Sequence, residues 1–384
     1  MNGVRLEPWK FGAKAAVCFS ADFELAWAAR HVSLERALAE AQRTRDAFPR
    51  LLASFDSFEV PVTWAVVGHL LLDACARDPS TGRAHPEMPR PGPYANRYWT
   101  FDRGDWYDHD PCTSAIEAPE WYAPDLIRKI IASPVPHEIG CHSFSHTDFS
   151  DNRCPPSLAT AELEACHREA RWLGRRLRSF VFPANFPGNF GALAACGFIS
   201  FRGPPRWDLT YPAKEQGLWN IPGSLQLFDP EVDYMNRLPR YLGAGARAGS
   251  AVHLNFHPSL LDVRMIDETL APTLRLVKER ERTGDAWIAT MDQIASFCET
   301  RGRAVVRTES GGGASRRFDI EWPSGGADYP EPSLTLSVPW TGSLPSCEID
   351  GSEVPSSSPD CFVRDGLLFL TLSRPQKVAA IRSR

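Results

Sequence analysis

The segment His142-Ser143-Phe144-Ser145-His146 sets two histidines four residues apart, directly after the short apolar run that ends at Cys141. If the chain turns helical at Ser143, this spacing stacks both imidazoles on one face, one turn apart. Two imidazoles so placed can share one divalent metal ion, with a carboxylate and water completing the shell. Their bland alternative is a pair of histidines at a helix start that bind nothing. Two further apolar runs end in groups that suit the same chemistry, one at Asp22-Phe23-Glu24 and one at His253 to Pro258. Together these are groups that could hold a metal ion and move protons beside it.

Each residue also has a structural reading. Asp22 and Glu24 could be solvated loop acids. His253 and His257 repeat the four-residue spacing, but along a strand they lie about 13 Å apart and cannot share an ion. Only the one at the strand end, His257, can reach a site, so His253 is read as a satisfied core histidine. Asp148 can orient a metal-bound imidazole or serve as a polar loop residue. Asn185 can contact substrate or cap a loop. Arg202 can pair with an active-site acid or make a structural ion pair. The aromatics Tyr94, Tyr98, Trp99, Trp106, Tyr107, Trp121 and Tyr122 can wall a pocket, with Trp106 nearest the site, or they can pack a loop onto the core.

Positioning these groups requires strands that end at a common rim. From Ala15 to about Cys298 short β-like runs alternate with helical patterns: strands at Ala15 to Ala21, Val60 to Val67, Glu138 to His142, Phe180 to Phe182, Phe198 to Arg202, Ser250 to Phe256 and Trp287 to Ala289. Between them Leu34 to Phe58, Pro124 to Ile131, Ala159 to Leu177, Phe190 to Cys196 and Leu270 to Arg282 read as helices, the first with Leu34, Leu38, Ala41, Phe48, Leu52 and Phe55 near a 3.6-residue period. Thr290 and Gln293 form a capping box for one more helix. Repeated β-then-α order predicts a parallel sheet with helices outside, closed or nearly closed into a barrel, whose functional groups gather at the carboxyl ends of the strands. Asp22, Glu24, His142, His146, Asn185, Arg202 and His257 all fall there.

The chain of 384 residues exceeds one ordinary compact domain. A Pro- and aromatic-rich insertion occupies 78–122 of a first domain, 1–300. After about Arg303 short alternating runs separated by Gly311-Gly312-Gly313 and Ser356-Ser357-Ser358 predict a small β-sandwich-like domain, 301–384. Net charge is -5 with no long basic run, which argues against a nucleic-acid partner. No run approaches a membrane span, and Met1 to Lys14 lacks the apolar stretch of a signal peptide. Ten cysteines without a Cys-x-x-Cys pair are expected to be reduced, in the cytoplasm.

From Ala15 to about Glu299 the chain resembles the polysaccharide deacetylases, the NodB-like or family 4 carbohydrate esterases. His142-Ser143-Phe144-Ser145-His146 matches the family's metal-binding histidine pair, and Phe19-Ser20-Ala21-Asp22-Phe23-Glu24 resembles its N-terminal acidic motif in an Asp-x-Glu form. The resemblance implies an α/β fold, a distorted (β/α) barrel of the NodB-like type, here followed by the small C-terminal all-β domain. It implies Asp22 as catalytic base and Glu24, His142 and His146 as metal ligands, with the roles of Asp22 and Glu24 open to exchange, and His257 as general acid. Two departures stand out. Where the family has Arg-x-Pro, with an arginine that pairs with the base, this chain has Phe182-Pro183-Ala184-Asn185, and Arg202 is the replacement candidate. Where the family has Leu-x-His, Asn255 takes the leucine position.

The leading expectation is therefore a metal-dependent N-deacetylase, with one divalent ion, zinc first, acting on an N-acylated sugar of cell-surface polysaccharide or glycoconjugate biosynthesis. Without a signal peptide the substrate expected is nucleotide- or lipid-linked, and an assembly of identical chains is compatible with the sequence. A second reading keeps the fold and changes the amide, to a formyl group or a small amide or imide. A third is a catalytically silent carbohydrate-binding protein.

Overall fold

The computed structural model describes residues 3–206, 208–228, 234–309, 315–322, 333–340, 346–349, 352–354, 358–372 and 378–382. Among the described residues ten strands build the main sheet, nine of them parallel: β1 (Ala15–Phe23), β2 (Thr63–Val66), β3 (Glu138–Cys141), β4 (Ser179–Val181), β5 (Ser200–Arg202), β6 (Leu218–Asn220), β7 (Leu225–Gln226), β8 (Ala251–Phe256) and β9 (Ala286–Ile288). β1 is buried along its whole length, as a near-continuous apolar run covered on both faces must be. Its alternate residues have separate tasks. Phe19 and Phe23 stack edge-on against Phe55 and Phe48 of helix α1 (Leu34–Ser57). Ser20 and Asp22 face the opposite way, toward Arg202.

β1 to β5 lie side by side in parallel, with β8 parallel on the other flank of β1. β6 pairs with β5, and β7, which follows after only a few residues, pairs with β8. Between them the Gly223 amide donates to the Gly203 carbonyl (3.3 Å) and the Ser224 amide to the His253 carbonyl (2.9 Å). The segment 218–227 thus passes from one end of the curled sheet to the other and returns the curl on itself. A short antiparallel strand, Ala213–Glu215 on β6, makes the sheet mixed.

The strands and helices expected from periodicity are present with shifted ends, and β1 runs two residues further than expected, so Asp22 is a strand residue. α1 is capped by Ser33, whose hydroxyl accepts from the Arg36 amide (3.2 Å). Its first turn differs from the expectation: Leu34 and Leu38 are exposed, and the buried stripe starts at Ala37. The Thr290–Gln293 capping box opens the last helix, Met291–Arg303. The helix Tyr234–Ala248 was not expected, because Pro239, Gly243 and Gly245 lie inside it. Gly245 has a packing reason: a Cβ there would come within 2.4 Å of Val252 in β8.

After Arg303 the described strands form two antiparallel sheets. One joins Leu334–Pro339, Leu367–Leu372 and Cys361–Arg364; the other joins Val305–Glu309, Ser315–Glu321, Val378–Arg382, Ser346–Ile349 and Ser352–Val354. They enclose a core that includes Phe318, Ile320, Leu336, Val338 and Leu370. Arg5–Leu6 pairs antiparallel with Leu334–Pro339, and Val4 and Leu6 pack on the C-terminal core. The N-terminal segment covers an otherwise open sheet edge there, so the C-terminal layer includes residues from both ends of the chain. Gly311, Gly312, Gly313, Ser356 and Ser357 lie outside the described residues. Among the described residues no helix is long and apolar enough to cross a membrane.

Candidate active site

The even face of β1 brings Asp22 to the rim, and Glu24 follows two residues later on the same side. The Glu24 Oε1 atom lies 3.0 Å from His142 Nε2 and 3.1 Å from His146 Nε2. His142 Nδ1 donates to the Val181 carbonyl at the end of β4 (2.8 Å). In a neutral imidazole that bond turns the Nε2 lone pair toward the carboxylate. Two imidazole nitrogens and one carboxylate oxygen thus converge on one point, the donor set and separation that a divalent cation fits.

The histidines reach this point without a helix, which corrects the expected geometry. Residues 142–149 form no regular element, and Ser143 (φ 57°) and His146 (φ 59°) are both left-handed. Such a backbone in non-glycine residues persists only where surroundings impose it. Here the buried carboxylate of Glu162, on helix Pro156–Glu169, accepts from the amides of Phe144 (2.9 Å) and Ser145 (2.8 Å) and from the Ser145 hydroxyl (2.6 Å). Arg30, sandwiched between the rings of Trp27 and Trp106, donates to the Ser145 carbonyl (2.8 Å). Neither Glu162 nor Arg30 was among the residues singled out from the sequence. Glu162 had a signal: it is an acid inside the apolar stripe of Leu158, Ala159, Leu163 and Cys166. Both histidines are buried, His146 at 3% exposure.

Asp22 is held in a bidentate pair by Arg202 from β5, at 2.5 and 2.7 Å. The guanidinium also donates to Ser20 Oγ (3.1 Å) and Asn185 Oδ1 (3.3 Å). Burial alone would raise the Asp22 pKa, but Arg202 and then His257 outweigh it and hold the carboxyl below its ordinary value. Glu24 follows the same pattern: burial raises it, and the hydrogen bonds with His142 and His146 bring it well below. His257, just past β8, has its Nε2 3.6 Å from Asp22 Oδ2, while its Nδ1 is buried with no hydrogen-bond partner among the described residues. The structure therefore gathers Asp22, Glu24, His142, His146, Asn185, Arg202 and His257 at one rim.

Two expected neighbours stand elsewhere. Asp148 orients no site imidazole: its carboxylate accepts from Ser150 (amide 3.0 Å, hydroxyl 2.5 Å), Arg153 (3.0 Å) and Asn96 (3.3 Å), which ties the histidine loop to the insertion. The short reach of an aspartate in its own loop favours such local bonds. Trp106 is likewise one layer back, donating from Nε1 to Ser145 Oγ (2.8 Å). The aromatic wall is instead Trp99, whose ring lies 5.3 Å from that of His146, with Tyr98 beside it. Asn96 sets this pair, its Oδ1 accepting from both their amides. The cavity over the site measures about 370 Å³ and is walled by Trp99, Tyr98, Gln226, His257, Leu260 and Val32, among others.

His253 is the satisfied core histidine expected, with Nδ1 donating to the Ile221 carbonyl (2.9 Å) and Nε2 2.8 Å from Ser20 Oγ. Burial, followed by Arg202, pushes its pKa down to about 3. The folded state then binds fewer protons than the unfolded state between the ordinary histidine value and about 3. Its contribution to stability is complete above that ordinary value and is lost as pH falls toward 3. We expect the wild-type midpoint in urea to decline over this window more steeply than that of His253→Gln; parallel slopes for the two proteins would contradict this.

No protein-family model matches the chain, and no curated protein matches it. Solved structures do. A Mycobacterium smegmatis protein provisionally assigned as a polysaccharide deacetylase aligns over 76% of this chain and 94% of its own, at 20% identity and a TM-score of 0.48. The Puue allantoinase aligns over 76% and 92%, at 17% identity and a TM-score of 0.48. A family 4 acetyl xylan esterase from Clostridium thermocellum, solved with a cobalt ion, aligns over 73% and 89%, at 13% identity and a TM-score of 0.35. Likenesses this distant leave the chemistry to be argued from the residues.

Proposed function

We propose that the protein is a metal-dependent hydrolase that removes an N-acyl group, acetyl first, from an amino sugar carried on a nucleotide or a lipid. The observation that carries this reading is the convergence of Glu24 Oε1, His142 Nε2 and His146 Nε2 within about hydrogen-bond distance, with the Val181 carbonyl fixing the His142 tautomer. A divalent ion held by these three groups supplies a polarised carbonyl and a more acidic water. Asp22 takes the proton of the attacking water. Its pairing with Arg202 keeps it ionised at neutral pH and fixes both its oxygens, at the cost of some basicity. His257 Nε2, facing Asp22 and the cavity, gives a proton to the departing nitrogen. Asn185 steadies Arg202, and Trp99 with Tyr98 offers an apolar face to the sugar ring.

A cavity of about 370 Å³ suits one compact residue better than a run of polymer. Mass spectrometry of N-acetylated nucleotide-linked and lipid-linked sugars after incubation with metal-loaded protein tests the reading; loss of an acetyl group is expected. Hydrolysis confined to formamides or cyclic imides would move the assignment to a small-amide hydrolase, and sugar binding without turnover would make it a silent binding protein.

The role of His257 has its own signature. An amide nitrogen cannot leave as an anion at neutral pH, whereas an activated aryl ester needs no such help. His257→Ala is therefore expected to lose on the order of 10²-fold or more on the amide, far less on the ester, and to keep its metal. Equal losses on both substrates would remove His257 from the reaction.

A further inference from the structure

A second group of side chains of metal-ligand type lies apart from the site, where the insertion meets the turn after β2. His69 stands in the turn Gly68–Leu71 that follows β2; Cys75, His85 and Asp110 come from the next stretch of chain. His69 Nε2 is 3.1 Å from His85 Nε2 and 3.1 Å from Asp110 Oδ2, and His85 Nε2 is 2.9 Å from the same oxygen. Cys75 Sγ lies 3.6 Å from Asp110 Oδ2 and 3.8 Å from His69 Nε2. Bonds of about 2.0–2.3 Å from a tetrahedral ion place neighbouring ligands roughly 3.3–3.8 Å apart, close to this set of separations.

Hydrogen bonding alone accounts for the arrangement poorly. His69 Nδ1 donates to the Trp121 carbonyl (3.3 Å), so a neutral ring turns its Nε2 lone pair inward. Asp110 Oδ1 is already taken by the Cys112 amide (2.9 Å) and the Tyr122 hydroxyl (3.3 Å), leaving Oδ2 for the cluster. A proton on His85 Nε2 can satisfy either the His69 lone pair or Asp110 Oδ2, not both, and the acceptor left over has only the weak Cys75 thiol, 3.6 Å from Asp110 Oδ2 and 3.8 Å from His69 Nε2. The His69 and Asp110 side chains are fully buried and that of His85 is 8% exposed, so water cannot supply the rest cheaply.

We propose that His69, Cys75, His85 and Asp110 bind one zinc ion in a closed, structural site separate from Glu24, His142 and His146. Two imidazoles, a thiolate and a carboxylate are zinc's usual ligands, and four protein ligands leave no open position for substrate. The ion clips the insertion to the turn after β2. That same insertion supplies Tyr98 and Trp99, so the clip also steadies one wall of the cavity.

Cobalt separates the two sites, because among the described residues only this cluster includes a cysteine. Protein loaded with Co²⁺ alone is expected to show thiolate-to-cobalt charge transfer in the near ultraviolet, retained in His142→Ala/His146→Ala and absent in Cys75→Ser. Elemental analysis of the zinc protein is expected to fall by about one equivalent in Cys75→Ser, and independently by about one in the double histidine variant. A single ion lost only with Cys75 would sustain this site and remove the catalytic one. Cobalt-loaded wild type without the charge-transfer band would overturn the proposal, whether or not Cys75→Ser folds.

Discussion

His142→Ala is expected to release the ion held with Glu24 and His146 and to abolish amide hydrolysis. Both consequences come from one contact set: the imidazole supplies one of three converging ligand atoms, and its other nitrogen is spent on the Val181 carbonyl. The substitution also leaves that buried carbonyl without its donor, at a cost of about 1–3 kcal/mol. His142→Gln, which keeps most of the volume, guards against confusing instability with lost coordination. Metal content by elemental mass spectrometry, read beside a thermal melt, separates the two effects. A His142→Ala/His146→Ala protein that keeps its full metal content would remove this centre.

Asp22→Asn carries the second large expectation, on turnover and stability at once. Loss of a general base costs roughly 10²–10⁴-fold. The change also leaves Arg202, 1% exposed, without its anionic partner, and breaking a buried ion pair from one side costs about 3–5 kcal/mol. The amide oxygen of Asn still accepts one of the two hydrogen bonds, so the lower part of that range is expected. Glu24→Gln, by contrast, should weaken the metal and spare Arg202. If Asp22→Asn loses the ion and Glu24→Gln keeps it, the two acids exchange roles; near-normal turnover in Asp22→Asn would remove Asp22 from the reaction altogether.

The rim was legible in the sequence because several of its residues end an apolar run. Asp22, His142, Arg202 and His257 are reached simply by following strands to their carboxyl ends, and the order of segments supplies the partners. The path between His142 and His146 was not legible. Four-residue spacing fits a helical turn, and only the tertiary contacts of Glu162 and Arg30 explain two left-handed residues in its place. The segment 218–227 was missed for a different reason: its two strands are only three and two residues long, and Pro222 and Gly223 lie in the crossing between them. Trp106 was expected nearest the site and Trp99 is found there, because both are aromatic in one insertion and only the Asn96 turn decides which faces the cavity. The His69 cluster spans 42 residues of chain with no regular ligand spacing, so nothing marked it before the fold brought it together.

The central claim is that the amide is cleaved with the help of an ion held by Glu24, His142 and His146. It is tested most directly by acetate release from N-acetylated nucleotide- and lipid-linked sugars, measured on one preparation before chelation, after chelation and after return of zinc. The account predicts turnover that disappears with the metal and returns with it in the wild type, and that does not return in His142→Gln. Undiminished turnover by protein shown by elemental analysis to be metal-free would contradict it.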